Sequence, residues 1–105
     1  MTEAEERAIA GALKTARACL SGQLGAIEAS WALAGFVHGH KQFVSTEDRN
    51  LFVAVQSETD DLPVGSLKTN WHPDFLPAKL EQVTQYEAAI VNQVKDACER
   101  LVGSL

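Results

Sequence analysis

The opening stretch places large apolar side chains at helical intervals. Ile9, Leu13 and Leu20 recur with Ala16 between them, and a second seam of Ala4, Ala8, Ala12 and Ala16 steps by four. Both repeats match the 3.6-residue period and predict a helix over about residues 3–20. Thr2 is its expected cap, and Glu3, Glu5 and Glu6 suit the positive end of its dipole. A row of alanines lets a second helix approach closely. Ser21-Gly22 breaks the pattern, since glycine accepts the left-handed conformation that ends helices. Leu24, Ile27, Trp31 and Ala34 then repeat at steps of three, four and three, predicting a second helix over about 23–38 with Gly25 and Ala29 as a small-residue surface. The short connection implies an antiparallel hairpin of helices. Gly39 is the expected stop.

Residues 39–45 read as a connector, after which Ser45 or Thr46 opens a third element with Glu47 and Asp48 in its first turn. The run Leu51-Phe52-Val53-Ala54-Val55 is β-branched and aromatic enough for a strand. However, Asp48, Leu51, Phe52 and Val55 share one helical face, and the only strand partner on offer is Gln42-Phe43-Val44. A short helix at about 46–57 is the preferred reading, with a small hairpin at about 41–56 as the alternative. Residues 57–72 read as a structured loop. With Asp74 as cap, Pro77 falls at the third position of a last helix, where no intrahelical N–H bond is needed. Val83, Tyr86, Ile90, Val94, Ala97 and Leu101 carry that helix to about 102, where Gly103 and Ser104 end it. At 1.5 Å per residue it is roughly 40 Å long. The predicted architecture is one all-α domain over 1–105, a bundle of three to four helices with a long structured loop over one end. An α+β fold is the alternative should the hairpin form.

Composition narrows the class. The chain is 46% hydrophobic and 22% charged, too apolar for a disordered segment. Its formal net charge is -5, and the basic residues are scattered with no run of three. Phosphate backbones demand clustered Lys and Arg, so nucleic acid is not an expected partner. Between Arg17 and Lys41 the only formal charge is Glu28, but Ser21, Gly22, Gln23, Gly25, Ser30 and Gly35 interrupt the stretch. A membrane span needs about 20 predominantly apolar residues, so a buried helix of a soluble domain is expected instead. Residues 1–7 lack the basic and apolar regions of a signal peptide. Cys19 and Cys98 lie in helix-like apolar stretches without zinc spacing, as expected of reduced core thiols in the cytoplasm.

Four features carry candidate chemistry. Ser57-Glu58-Thr59-Asp60-Asp61 puts three carboxylates within four residues, ahead of the turn-forming Leu62-Pro63-Val64-Gly65. Glu58, Asp60 and Asp61 are the candidate partner-binding residues; the competing reading is local caps and turns. The calcium-loop pattern of alternating ligands is missing. Glu28 is the candidate buried carboxylate, which burial would push toward a raised pKa; the alternative is a boundary residue facing solvent. His38, His40 and His72 could converge only if the connector were extended, and no spacing requires it. Trp31 belongs to an apolar helix face. Trp71 either staples the loop to the bundle or stands out as a binding anchor. Nucleophile elbow, Walker loop, His-Glu-x-x-His and dinucleotide turn are all missing, so no catalytic residue, metal or cofactor is assigned.

The run Ser57-Glu58-Thr59-Asp60, one residue, Leu62-Pro63-Val64-Gly65, then Trp71 and Pro73, resembles a group of small bacterial proteins without an assigned activity. Leu20-Ser21-Gly22 and Ile27-Glu28 are similar to the early part of the same group. His72 stands where similar sequences often have Ser. The resemblance implies a compact bacterial domain encoded near toxin or secretion genes, and no catalytic role. Together with the acidity, the expected function is a non-enzymatic protein-binding domain, of immunity or regulatory type, that masks a basic partner surface. The alternative is a small-molecule- or metal-binding regulatory domain using Glu28, the histidines and the acidic segment. Homo-oligomerisation through the last helix is a third expectation.

Overall fold

The apolar periods become helices at nearly the expected places. The computed structural model describes residues 2–64 and 72–105 and contains, among these, four α-helices and no strand. They are α1 (Glu3–Leu20), α2 (Ala26–Gly39), α3 (Thr46–Thr59) and α4 (Leu76–Ser104), with a single 3-10 turn at Lys41–Phe43. The all-α bundle is therefore the observed fold. No helix among the described residues is long and apolar enough to cross a membrane.

Each boundary has a local cause. The Thr2 hydroxyl accepts from the Glu5 N–H and opens α1, while Gly22 closes it at φ 83°. The Ser45 hydroxyl accepts from the Asp48 N–H and opens α3. α2 starts at Ala26 rather than 23, because Gly25 in extended conformation is its cap residue. α4 starts at Leu76 with Phe75 as cap residue, not Asp74; the His72 carbonyl accepts from both Phe75 and Leu76 N–H groups. Pro77 thus falls at the second helical position, where its missing N–H is equally harmless.

α2 is the central element. Ala26, Ile27, Ala29, Ser30, Leu33, Ala34 and Val37 are all buried, and it packs against α1, α3 and α4. α1 turns its small seam inward: Ala12, Ala16 and Cys19 are buried, whereas Ile9, Leu13 and Leu20 are only partly covered. Small residues on this face allow the close α1–α4 approach, where Val94, Ala97, Cys98 and Leu101 are buried. Phe52 and Val55 of α3 complete the core. Asp48 is also buried, and Arg100 of α4 binds it through two bonds of 2.8 and 3.0 Å, tying the start of α3 to the end of α4. The Cys19 and Cys98 thiols meet inside this packing. Their mutual hydrogen bond, with burial, pushes Cys98 up, and the same bond lowers Cys19.

Candidate functional site

Glu28, Trp31 and the segment 57–64 lie at the end of the bundle where α2 begins and α3 ends. α2 has a glycine cap residue with no side chain to satisfy its first N–H groups. Glu87, reaching across from α4, supplies the acceptors: its two carboxylate oxygens take the Ala26 N–H at 2.6 Å and the Ile27 N–H at 2.9 Å. A charged acceptor at a helix N-terminus combines strong hydrogen bonds with a favourable dipole interaction.

The end of α3 is fastened by a buried threonine. Thr59 Oγ1 accepts from Trp31 Nε1 at 2.7 Å and donates to the Val55 carbonyl at 2.5 Å. The hydroxyl is thus satisfied on both sides, and the half-buried Trp31 is locked over the α2–α3 junction. One residue earlier, Glu58 accepts the Tyr86 hydroxyl hydrogen bond from α4. Burial first, then the bond and charge of Glu58, push the Tyr86 pKa up to about 12.

These contacts correct two expectations. Ser57, Glu58 and Thr59 are not loop but the last turn of α3, which runs two residues past its expected end. Glu28 is exposed, not buried. It lies on the solvent stripe of α2 with Ala32, Gly35 and Gly39, four and three residues apart, opposite the buried positions. Asp60 and Asp61 are exposed in the turn that follows α3, while Leu62, Pro63 and Val64 are buried beneath it. Backbone bonds from Leu62 N–H to the Thr59 carbonyl and from Val64 N–H to the Leu62 carbonyl hold this strap.

The strap does meet α2. Glu28, Pro63, Val64 and Glu87 line one cleft of about 210 Å³. That is smaller than the roughly 300 Å³ at which ordinary small-molecule pockets begin. Glu28 is exposed on this cleft, and Glu58, Asp60 and Asp61 are exposed at the C-terminal end of α3, which has no basic residue in its last turn. Gly65 and Trp71 lie outside the described residues.

The histidines are employed separately. His40 stacks on Phe36 with centroids 4.5 Å apart, and its Nδ1 lies 3.0 Å from the Phe36 carbonyl. His38 is exposed, and His72 Nδ1 accepts from the Asp74 N–H at the foot of α4. Among the described residues no group of three His, Cys, Asp or Glu side chains is arranged to hold a metal ion.

Sequence reasoning missed Glu87, and it read Tyr86 only as core. The available signal was negative: a helix starting near Gly25 had no Ser, Thr, Asp or Asn at its cap position, so its donors needed a distant acceptor. The Asp48–Arg100 pair left no comparable trace, because the two residues are 52 apart in the chain. No protein family, curated protein or solved structure matches this chain.

Proposed function

We propose that this chain is a non-enzymatic protein-binding domain, of immunity or regulatory type, whose acidic end masks a basic surface on a partner protein. The observation that carries the reading is the placement of Glu58, Asp60 and Asp61 at the C-terminal end of α3. Negative side chains there face the negative end of the helix dipole and work against folding. Among the described residues, only Glu58 of these three has a compensating bond, from Tyr86. Exposed charge kept at a cost to stability suits a surface that steers and binds an oppositely charged protein. The four-carboxylate end also fits the overall charge of -5. The buried free thiols suit a reducing compartment, which makes the cytoplasm the proposed location.

The test is parallel capture from native lysate with the wild-type chain and with Asp60→Lys/Asp61→Lys, read by quantitative mass spectrometry. A basic protein retained by the wild type, lost with the double variant and eluted by high salt is the expected result. Capture of the same proteins by both chains at equal yield would sink the reading.

A further inference from the structure

One face of α1 is left uncovered by the bundle. Ala12, Ala16 and Cys19 mark its inward side. Glu3, Glu6, Ala10 and Arg17 are exposed and Leu13 is half-buried. At 100° per residue these five positions form one stripe turned away from the core. Their steps of three, four, three and four are those of a helix–helix seam. Two shallow grooves, of about 580 and 260 Å³, run along this face and share Ala10 and Leu13. Phe43 and Leu105 extend the apolar part of the second groove.

The stripe also carries an ordered charge pattern. Its first turn is acidic, with Glu3 and Glu6; its centre is apolar, with Ala10 and Leu13; its last turns are basic, with Arg17 on the stripe and the exposed Lys14 beside it, both lining the first groove. Glu3 has an intrahelical partner in Arg7, but neither Lys14 nor Arg17 is ion-paired among the described residues. A pattern that runs acidic, apolar, basic is complementary to itself when reversed. Turned antiparallel about a two-fold axis at Ala10, each copy sets its Glu3 and Glu6 against the Lys14 and Arg17 of the other. Leu13 side chains then flank the crossing, and the small Ala10 lets the helices close. A uniformly acidic or basic partner would match only one end of the stripe, and a parallel pairing would set like charge against like.

We propose that a second copy of this chain docks on this face, forming a weak two-fold dimer through antiparallel α1–α1 packing. The pairing uses none of the carboxylates of the acidic end, so it stands or falls independently of the function proposed above. A contact between two single helices with exposed ion pairs belongs to the smallest class of specific interfaces, with a dissociation constant on the order of 0.1 mM.

The experiment is sedimentation equilibrium of the whole chain over a range of concentration and salt. The wild type is expected to dimerise in low salt and to dissociate as salt rises. Lys14→Glu/Arg17→Glu and Glu3→Lys/Glu6→Lys should each weaken the dimer at least about tenfold. An equimolar mixture of the two variants should recover it, because every facing pair is again opposite in sign. Ala10→Arg, at an exposed position that the fold does not need, should abolish the dimer with helicity unchanged by circular dichroism. A wild type that stays monomeric to about 1 mM, or a dimer that survives Ala10→Arg and both charge reversals, would overturn the proposal. So would a mixture of folded variants that fails to associate.

Discussion

Glu87 does from a distance what a cap residue normally does from within the helix. Its carboxylate takes two N–H groups of α2 that Gly25 cannot serve. Glu87→Ala should cost about 1–2 kcal/mol in urea unfolding, the usual loss for a helix cap. The same geometry reverses an ordinary expectation at Gly25. Asp is normally a better cap than Gly, but a side chain added here begins 3.5 Å from Glu87 Oε1. Gly25→Asp sets a second carboxylate beside the first, so it should lower the melting temperature, whereas Gly25→Ser should not. At Thr59, replacement by Val keeps the shape but leaves the Trp31 N–H without its acceptor, for a loss of about 1–2 kcal/mol. Tyr86 gives a pH dependence. Its folded pKa is raised above the unfolded value of 10 to about 12, so its contribution is complete below pH 10 and is lost as pH rises through 12. Wild type should lose thermal stability over that window more steeply than Tyr86→Phe.

At the scale of elements, the important choice is which face of α1 turns inward. The larger Ile9, Leu13 and Leu20 are only partly covered, while the Ala12–Ala16–Cys19 seam is sealed against α2 and α4. Small side chains win this contest because they bring backbones close and let Val94, Ala97 and Cys98 interlock with them. Both thiols are closed off by the same packing, since Cys19 and Cys98 are buried, and the bond to Cys19 together with burial pushes the Cys98 thiol up. An aromatic disulfide reagent should therefore find neither thiol in the native protein at neutral pH and both after denaturation. The end of α3 shows the opposite balance, with carboxylates against an unfavourable dipole. Asp60→Asn/Asp61→Asn should raise the unfolding free energy measured in urea, by up to about 0.5 kcal/mol for each residue, while weakening partner capture.

For the whole molecule, α4 sets the long dimension. Its 29 residues run most of the 49 Å length, against 25 and 23 Å across. Contacts far apart in sequence then sit at separate levels along this helix. Near its C-terminus, Arg100 secures α3 by Asp48; in its middle, Tyr86 and Glu87 secure the end of α3 and the start of α2. α2 and α3 are thus both referenced to one rod, and the acidic end is held by polar bonds as well as by the apolar strap of Leu62, Pro63 and Val64.

The linear pattern determined that the chain is helical and where the helices lie. Apolar period, cap residues and Gly22 are local signals, read within a turn or two, and they placed α1 over its full length and α3 and α4 to within two residues at each end. The same local signals left Leu51-Phe52-Val53-Ala54-Val55 open between a preferred helix and a strand; in the bundle it is helix, with Asp48, Phe52 and Val55 on the buried face. Which stripes are buried was decided only by tertiary packing. Glu28, a candidate buried carboxylate from the sequence, lies with Ala32 and Gly35 on a solvent stripe because α1, α3 and α4 cover the other side of α2. The partners of the polar groups were likewise beyond local reading. Glu87 for the α2 N-terminus, Thr59 for Trp31 and Arg100 for Asp48 are separated by 28 to 61 residues. Periodicity carries no information at such spans, so only the assembled bundle could bring each donor to its acceptor.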